Sequence, residues 1–272
     1  MSKEVFNRKG ARKVEDVPEE VLNYLNQGVI ETVNLTEWLA IDHIKLLETV
    51  FPSMGIEEGV IHQISKAISS QKKPTAMSTT KLVGTMLYES FEDSKNIDAL
   101  IAQLGAHTSD AVRCYATYLI ALNQNLSIEE KLEQSRQMVA DHHFGVREVV
   151  WMALRPEIEQ NLEESIDILS KWTTDPDENI RRFTTEATRP RGVWCKHIDH
   201  LKEQPEGALP ILENLKSDSS KYVQDSVGNW LNDASKTRPD FVVELCEKWQ
   251  KESPTKETEK IIKRARRTID KK

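Results

Sequence analysis

The stretch "TTEATRPRGVWCKHID", residues 184–199, gathers a carboxylate (Glu186), two guanidiniums (Arg189 and Arg191) and an indole (Trp194) into nine residues. A carboxylate can stabilise developing positive charge or position a water. Guanidiniums hold anions such as phosphates, and an indole presents an electron-rich face to a cation. Packing alone does not call for that mixture. A ligand that is cationic and aromatic, and carried on a polyanion, does. Lys196 and Arg182 extend the basic side of the cluster, and Arg182 is four residues before Glu186, on the same helix face.

The surrounding sequence reads as helices throughout. Gly and Pro, ten each, fall between periodic apolar stretches. Residues 35–51, "LTEWLAIDHIKLLETVF", have helical spacing, and no run alternates like a strand. From about residue 78 four segments share a polar turn, an aliphatic residue followed by Arg or Gln, and an amphipathic helix. Their pairs are Val112-Arg113, Val146-Arg147, Ile180-Arg181 and Val223-Gln224, spaced by 34, 34 and 43 residues. The stretches between them supply a partner helix each. This is the period of a helical solenoid of the HEAT or armadillo kind, in which one pair cannot bury its apolar face but a stack can. The expected fold is all-α, a right-handed superhelical α-solenoid of HEAT-like repeats. It is expected to form one domain over 1–272, with divergent N-terminal helices (14–75), repeats (78–250) and a basic last helix (253–272). An Asp or Ser before each aliphatic-Arg pair can cap its helix. Arg-Pro, at 155–156, 189–190 and 238–239, is expected to mark turns and helix starts.

Aligning the repeats shows which residues share the second helices. Glu148 and Trp151 follow Val146; Arg181, Arg182 and Glu186 follow Ile180; Asn229, Trp230 and Asn232 follow Val223. Structural roles compete with functional ones here. Arg113, Arg147 and Arg181 are expected to ladder onto the acid of the preceding repeat. An Arg–Glu pair at i, i+4 is ordinarily a surface ion pair. Trp38, Trp172 and Trp249 fall on apolar stripes and read as core; Trp151 and Trp230 are open. Trp194 has no helical stripe around it, and the turn made by Pro190 and Gly192 lets the chain double back toward the preceding helix. His142 and His143 have no third ligand at metal spacing and read as a loop and a cap, so no metal is expected.

Composition narrows the class. The 272 residues carry a net charge of −7, and charged residues make up 30%. No apolar run approaches a membrane span, and the start, "MSKEVFNRKGARKVEDV", has no apolar core of a secretory signal. Cys114, Cys195 and Cys246 form no CxxC pair, which suits a reducing cytoplasm. The acidic total hides an uneven distribution: residues 256–272 hold eight Lys or Arg against three acids, and residues 1–13 are also basic.

"DHHFGVREVVWMALRP", "NIRRFTTEATRPRGVW" and "SSKYVQDSVGNWLND" together resemble the signature blocks of the HEAT-repeat DNA glycosylases of the AlkC/AlkD alkylation-repair superfamily. The resemblance covers roughly residues 80–250 and is strongest to the AlkC branch, whose members carry E-x-x-R-P-R-x-x-W. It implies hydrolysis of the N-glycosidic bond of cationic alkylated bases in double-stranded DNA. N3-methyladenine comes first, with N3-methylcytosine and N7-methylguanine as further substrates. The reaction would run without flipping the base fully from the stack. The reading takes no cofactor and, with no lysine placed as an amine nucleophile, no lyase step; a monomer is the default.

A cationic base is already a good leaving group, so the site has only to stabilise an oxocarbenium-like sugar and position water. Glu186 and Glu148 are the candidate carboxylates, with Trp194 and Trp151 facing the lesion. Arg147, Arg181, Arg182, Arg189, Arg191, Lys196, Asn229 and Asn232 are candidates for the DNA backbone. Glu186, Arg189, Arg191 and Trp194 match the family motif; Glu148 and Trp151 follow from repeat position. The competing reading is a non-catalytic HEAT-repeat scaffold or DNA binder, since fold does not decide function.

Overall fold

One turn, used four times, turns the sequence repeat into structure. In "HTSDAVR", "DHHFGVR", "DPDENIR" and "DSSKYVQ" the first side chain accepts a bond from the backbone N–H two residues on. His107 Nδ1 accepts from Ser109 at 3.0 Å, Asp141 from His143 at 2.7 Å, Asp175 from Asp177 and Asp218 from Ser220 at 2.8 Å each. The last side chain folds back onto the carbonyl of the first. Arg113 reaches His107 O at 2.9 Å, Arg147 Asp141 O at 2.6 Å, Arg181 Asp175 O at 2.8 Å and Gln224 Asp218 O at 2.7 Å. Polar groups at the helix entrance are thereby satisfied locally. The ladder does form, but it runs forward. Arg113 pairs with Asp141 of the next turn at 2.7 Å, and Arg181 pairs with Asp218 at 2.7 Å. An arginine at the start of a helix reaches the acid that opens the following repeat, since both lie at the same end of their repeats.

The computed structural model describes residues 3–271, with side chains from Val5 to Lys271. Lys3 and Lys272 of the basic segments lie outside the described side chains. The chain divides into two compact units, residues up to 125 with 141–153, and residues 126–140 with 154–272. The first contains α1 (Lys3–Phe6), α2 (Glu19–Asn26), α3 (Leu35–Ala40), α4 (His43–Val50), α5 (Glu58–Ser69), α6 (Ala76–Phe91), α7 (Ile97–Gly105) and α8 (Asp110–Leu122). The second contains α9 (Ile128–Val139), α11 (Leu162–Trp172), α12 (Glu178–Ala187), α13 (Asp199–Glu203), α14 (Leu209–Leu212), α15 (Lys221–Ala234), α16 (Pro239–Glu252) and α17 (Lys256–Ala265). α10 (Phe144–Gln160) passes from the first to the second. Among the described residues there is no strand, and the protein is all-α, built of HEAT-like helix pairs.

The first unit packs α8 against α6 and α7, and α8 is buried almost along its whole length. The second packs α15 between α12 and α17, with α11 against α12 and α14. Trp38, Trp172 and Trp249 are buried, as their apolar stripes require, and Trp230 joins them. The stretch 35–51 is not one helix. It breaks at Ile41, and Asp42 caps α4 by accepting from the N–H groups of Ile44 and Lys45. Asp177 and Ser220 cap α12 and α15 as expected, whereas Ser109 makes no side-chain cap to α8.

Pro239 starts α16 and Pro190 follows α12, but Pro156 sits inside α10 rather than at a helix start. Its ring removes the bond that a residue there would donate to Met152. Neighbouring contacts hold the helix through the gap. Ile158 is fully buried, and Glu157 accepts from the buried Lys131 of α9 at 2.5 Å.

Candidate functional site

Glu186 lies in the last turn of α12 and is almost completely buried. The Ser226 hydroxyl of α15 donates to its Oε1 at 2.7 Å. Arg182 lies 3.5 Å from Oε1, and Arg189 donates to Oε2 at 3.3 Å. A second carboxylate, Asp233 of α15, takes the other edge of Arg189, from Nη2 at 2.6 Å and Nε at 2.9 Å. Lys236 adds a cation to Asp233 at 2.8 Å, and Arg191 Nε donates to the Asp233 carbonyl at 3.3 Å. The Arg182 guanidinium also stacks on Tyr222, 4.3 Å from the ring centre. Burial works against the Arg189 charge, yet Glu186 and Asp233 beside it more than offset this and raise its pKa above the ordinary arginine value. Around the two carboxylates the cations outnumber the anions, so the cluster as a whole presents positive charge.

The backbone beyond α12 turns sharply and comes back, with Ile198 N donating to Pro190 O at 3.2 Å. Trp194 stands on this loop with 70% of its surface exposed. It is the one non-glycine residue among those described with a left-handed backbone, φ 61°. A bulky side chain in that region is strained, and strain of this kind collects where a fold needs a side chain aimed in a particular way. Carbonyls at the end of α12 and in the loop beyond it are taken by side chains from elsewhere in the second unit. Arg155 of α10 donates to Ala187 O at 3.0 Å, to Arg189 O, and to Lys196 O at 2.8 Å. Trp230 donates from its ring N–H to Thr188 O at 3.0 Å.

The structure therefore brings Glu186, Arg182, Arg189 and Arg191 together, with Trp194 and the exposed Lys196 on the adjoining loop. Glu148 and Trp151 belong to the first unit, where the indole N–H donates to Glu148 Oε2 at 3.0 Å. Trp151 is buried, so its ring offers a ligand no face, and its N–H is bound to Glu148. Arg147 is bound to the carbonyls of its own turn, and Arg181 to those of its turn and to Asp218. Asn232 is buried, donating to Thr268 at 2.8 Å and accepting from Arg267 at 3.1 Å. Asn229 accepts from Arg264 and Arg267, so both asparagines serve the seam with the C-terminal segment.

Asp233, Ser226 and Arg155 do not stand out in the sequence. For Arg155 a signal was present. It stands nine residues after Val146, as Arg189 stands nine after Ile180, and a proline follows both. His142 and His143 part company, the first exposed beside Glu31 at 2.7 Å and the second buried against Thr32 O at 2.7 Å.

Comparison with known proteins places the chain. The family model described as "DNA alkylation repair enzyme" matches residues 42–267. The uncharacterized protein YhaZ of Bacillus subtilis (strain 168) is 42% identical over 120 residues, which is 44% of this chain and 33% of that protein. Among solved structures, Pseudomonas fluorescens alkylpurine DNA glycosylase AlkC, bound to DNA containing an abasic site analog, superposes with a TM-score of 0.63 at 23% identity. That match covers 78% of this chain and 56% of AlkC. AlkD2 from Streptococcus mutans superposes with a TM-score of 0.61 at 27% identity, covering 78% of this chain and 98% of AlkD2. The chain thus spans a third of YhaZ and about half of AlkC. The two superpositions are nearly equal, so neither branch is singled out, but the family match runs across both units: the chain belongs to the DNA alkylation repair enzyme family.

Proposed function

We propose that the protein is a monofunctional DNA glycosylase that releases cationic alkylated bases from double-stranded DNA, N3-methyladenine first, without drawing the base fully out of the stack. The observation that carries this reading is the buried Glu186, ringed by Arg182 and Arg189, at the root of a loop that holds Trp194 exposed in a strained conformation.

A base alkylated on a ring nitrogen leaves without a proton from the enzyme, so the barrier lies in the charge that develops on the sugar. In the proposed reaction, phosphates flanking the lesion compete with Glu186 for the guanidiniums of Arg182 and Arg189. This uncovers the carboxylate where positive charge builds and gives it a water to orient. Trp194 lies against the cationic base and its deoxyribose. Arg191 and Lys196 add backbone contacts, which set register and carry no sequence information. No amine is required as nucleophile, and the products are the free base and an abasic site.

The test is release of free methylated bases from methylated genomic DNA, separated by chromatography against a control without protein. Excess N3-methyladenine over spontaneous loss is expected. Folded protein that yields no excess of any methylated base would overturn the reading in favour of a binding or scaffold role.

A further inference from the structure

Arg155 is a charge that α10 buries with no carboxylate in hydrogen-bond contact among the described residues; Glu159 and Glu186 act on it only from a distance. Only 2% of the residue is exposed, and its hydrogen-bond partners are the three carbonyls of Ala187, Arg189 and Lys196. Burial depresses its pKa from the ordinary arginine value. Leaving a guanidinium in the interior with neutral partners is expensive, and stability gives no reason for it when an apolar side chain fills such space more cheaply. The geometry supplies the reason. A guanidinium is a flat, rigid fork that can donate in several directions at once. Here it spans the two ends of the loop that carries Trp194, joining the end of α12 to Lys196. Backbone bonds alone hold that loop thinly: Arg189 N reaches Glu186 O at 3.4 Å, and Ile198 N reaches Pro190 O.

Gly192 packs against the fork. A Cβ there would strike Cys195 Sγ and approach Arg155 Nε to 3.2 Å. The loop is therefore laid directly on the guanidinium.

We infer that Arg155 is a positioning residue, a buried clip that fixes the loop 187–196 and holds Trp194 in its strained, outward conformation for the reaction. The inference rests on the functional reading of Trp194 given above. The clip itself makes no contact with DNA. A misplacement of about 1 Å at a reacting group costs on the order of 100-fold in rate, and that is the effect a loosened loop would have.

The test has a readout that needs no DNA. Of the three cysteines, Cys114 and Cys246 are buried and Cys195, on the loop itself with its sulfur against Gly192, is half-buried, so alkylation with iodoacetamide reports on how firmly the loop is held. Arg155→Lys keeps the charge but cannot span three carbonyls. Expected are several-fold faster alkylation of Cys195 and a fall in kcat of roughly 10- to 100-fold, with KM little changed. Arg155→Gln, whose single amide N–H2 cannot span the three carbonyls, leaves Cys195 and its loop untouched and is expected to move both readouts in the same direction. It decides the matter if Arg155→Lys does not fold.

Unchanged alkylation in the folded variant would overturn the clip. Faster alkylation with unchanged kcat would overturn its part in the reaction. If the wild-type protein releases no base, the functional reading fails by itself, and the alkylation rates still decide whether Arg155 holds the loop.

Discussion

The turn that opens α10, residues 141–147, and the loop that follows α12, residues 188–198, are both short irregular segments pinned by arginine. They differ in where the arginine comes from. In the first, Arg147 folds back onto carbonyls five and six residues earlier, and Asp141 receives the N–H of His143. The pattern recurs at 107–113, 175–181 and, with Gln224 in place of the arginine, 218–224, at the same spacing. In the second, the arginine is 32 to 41 residues away, the backbone includes a left-handed tryptophan, and the indole is left in solvent. A turn whose backbone carbonyls are satisfied from within holds its own conformation and serves as a joint. A turn held from outside can keep an unfavourable conformation, and in this molecule the one so held lies beside the buried carboxylate.

The sharpest way to separate the two is to remove charge from each. Glu186→Gln keeps the shape and an acceptor for Ser226 but no longer answers positive charge. Base release in single turnover is expected to fall about 100- to 1,000-fold, the scale seen when one preorganised electrostatic group is lost. Affinity for undamaged DNA is expected to hold or rise, since Arg182 and Arg189 lose a competitor for phosphate. Excision at the wild-type rate would remove Glu186 from the mechanism and leave the loop comparison without its chemical half.

Arg113→Gln tests the other kind of turn. It takes the guanidinium from Asp141 and Glu31, which accept from Arg113 at 2.7 and 2.5 Å and keep only the His143 N–H and His142 beside them. Loss of one partner from a buried pair costs several kcal/mol; Glu31 is partly open to water, so about 3 kcal/mol is expected. The denaturant midpoint should fall accordingly, while folded protein excises normally. A loss of excision at unchanged stability would mean that the repeat turns are not merely joints.

What the sequence allowed one to read follows the same division. The helices, the repeat and its period were legible because they rest on local spacing: an aliphatic residue, a polar turn, an arginine. Glu186, Arg182 and Arg189 were legible as neighbours because helix geometry puts residues three and four apart on one face. Asp233 and Ser226 were not, because only the packing of α15 on α12 brings them to Glu186. Trp194 could be singled out from its lack of an apolar stripe, but its left-handed backbone could not. Trp151 misled for the opposite reason: repeat position set it beside Glu148, and the core buried it. Arg155 carried its only trace in a repeated Arg-Pro, which reads equally well as a helix boundary and proved to lie inside a helix.

The first unit also contains a histidine that will respond to acid. Burial pushes the His43 pKa down to about 4 from its ordinary 6.5, with Asp42 acting the other way, and His43 Nδ1 lies 2.6 Å from the Tyr115 hydroxyl. The folded state therefore keeps His43 neutral where the unfolded chain would protonate it. Its contribution is complete above pH 6.5 and is lost as pH falls toward 4, by up to about 3 kcal/mol. Asp110, whose pKa burial raises, works in the opposite sense over acid pH. The difference between wild type and His43→Gln isolates the histidine. Denaturation midpoints from pH 7 to 4 should fall more steeply for the wild type, and parallel curves would mean that His43 is not buried neutral.

The smallest effect is the most telling for the comparison. If the 188–198 loop is held in strain from outside, relieving the strain should stabilise the protein while harming its function. Trp194→Gly removes the side chain that crowds a left-handed backbone, a relief of about 1–2 kcal/mol, reduced by the extra freedom glycine gives the unfolded chain. A net gain of about 0.5–1 kcal/mol in unfolding free energy is expected, together with a loss of base release, because the indole is gone. Trp194→Ala removes the same ring and keeps the strained Cβ, so it should lose release equally and gain little stability. Equal midpoints for the two variants would show that the backbone stores no strain there. The loop would then differ from the repeat turns only in the distance its arginine has to reach.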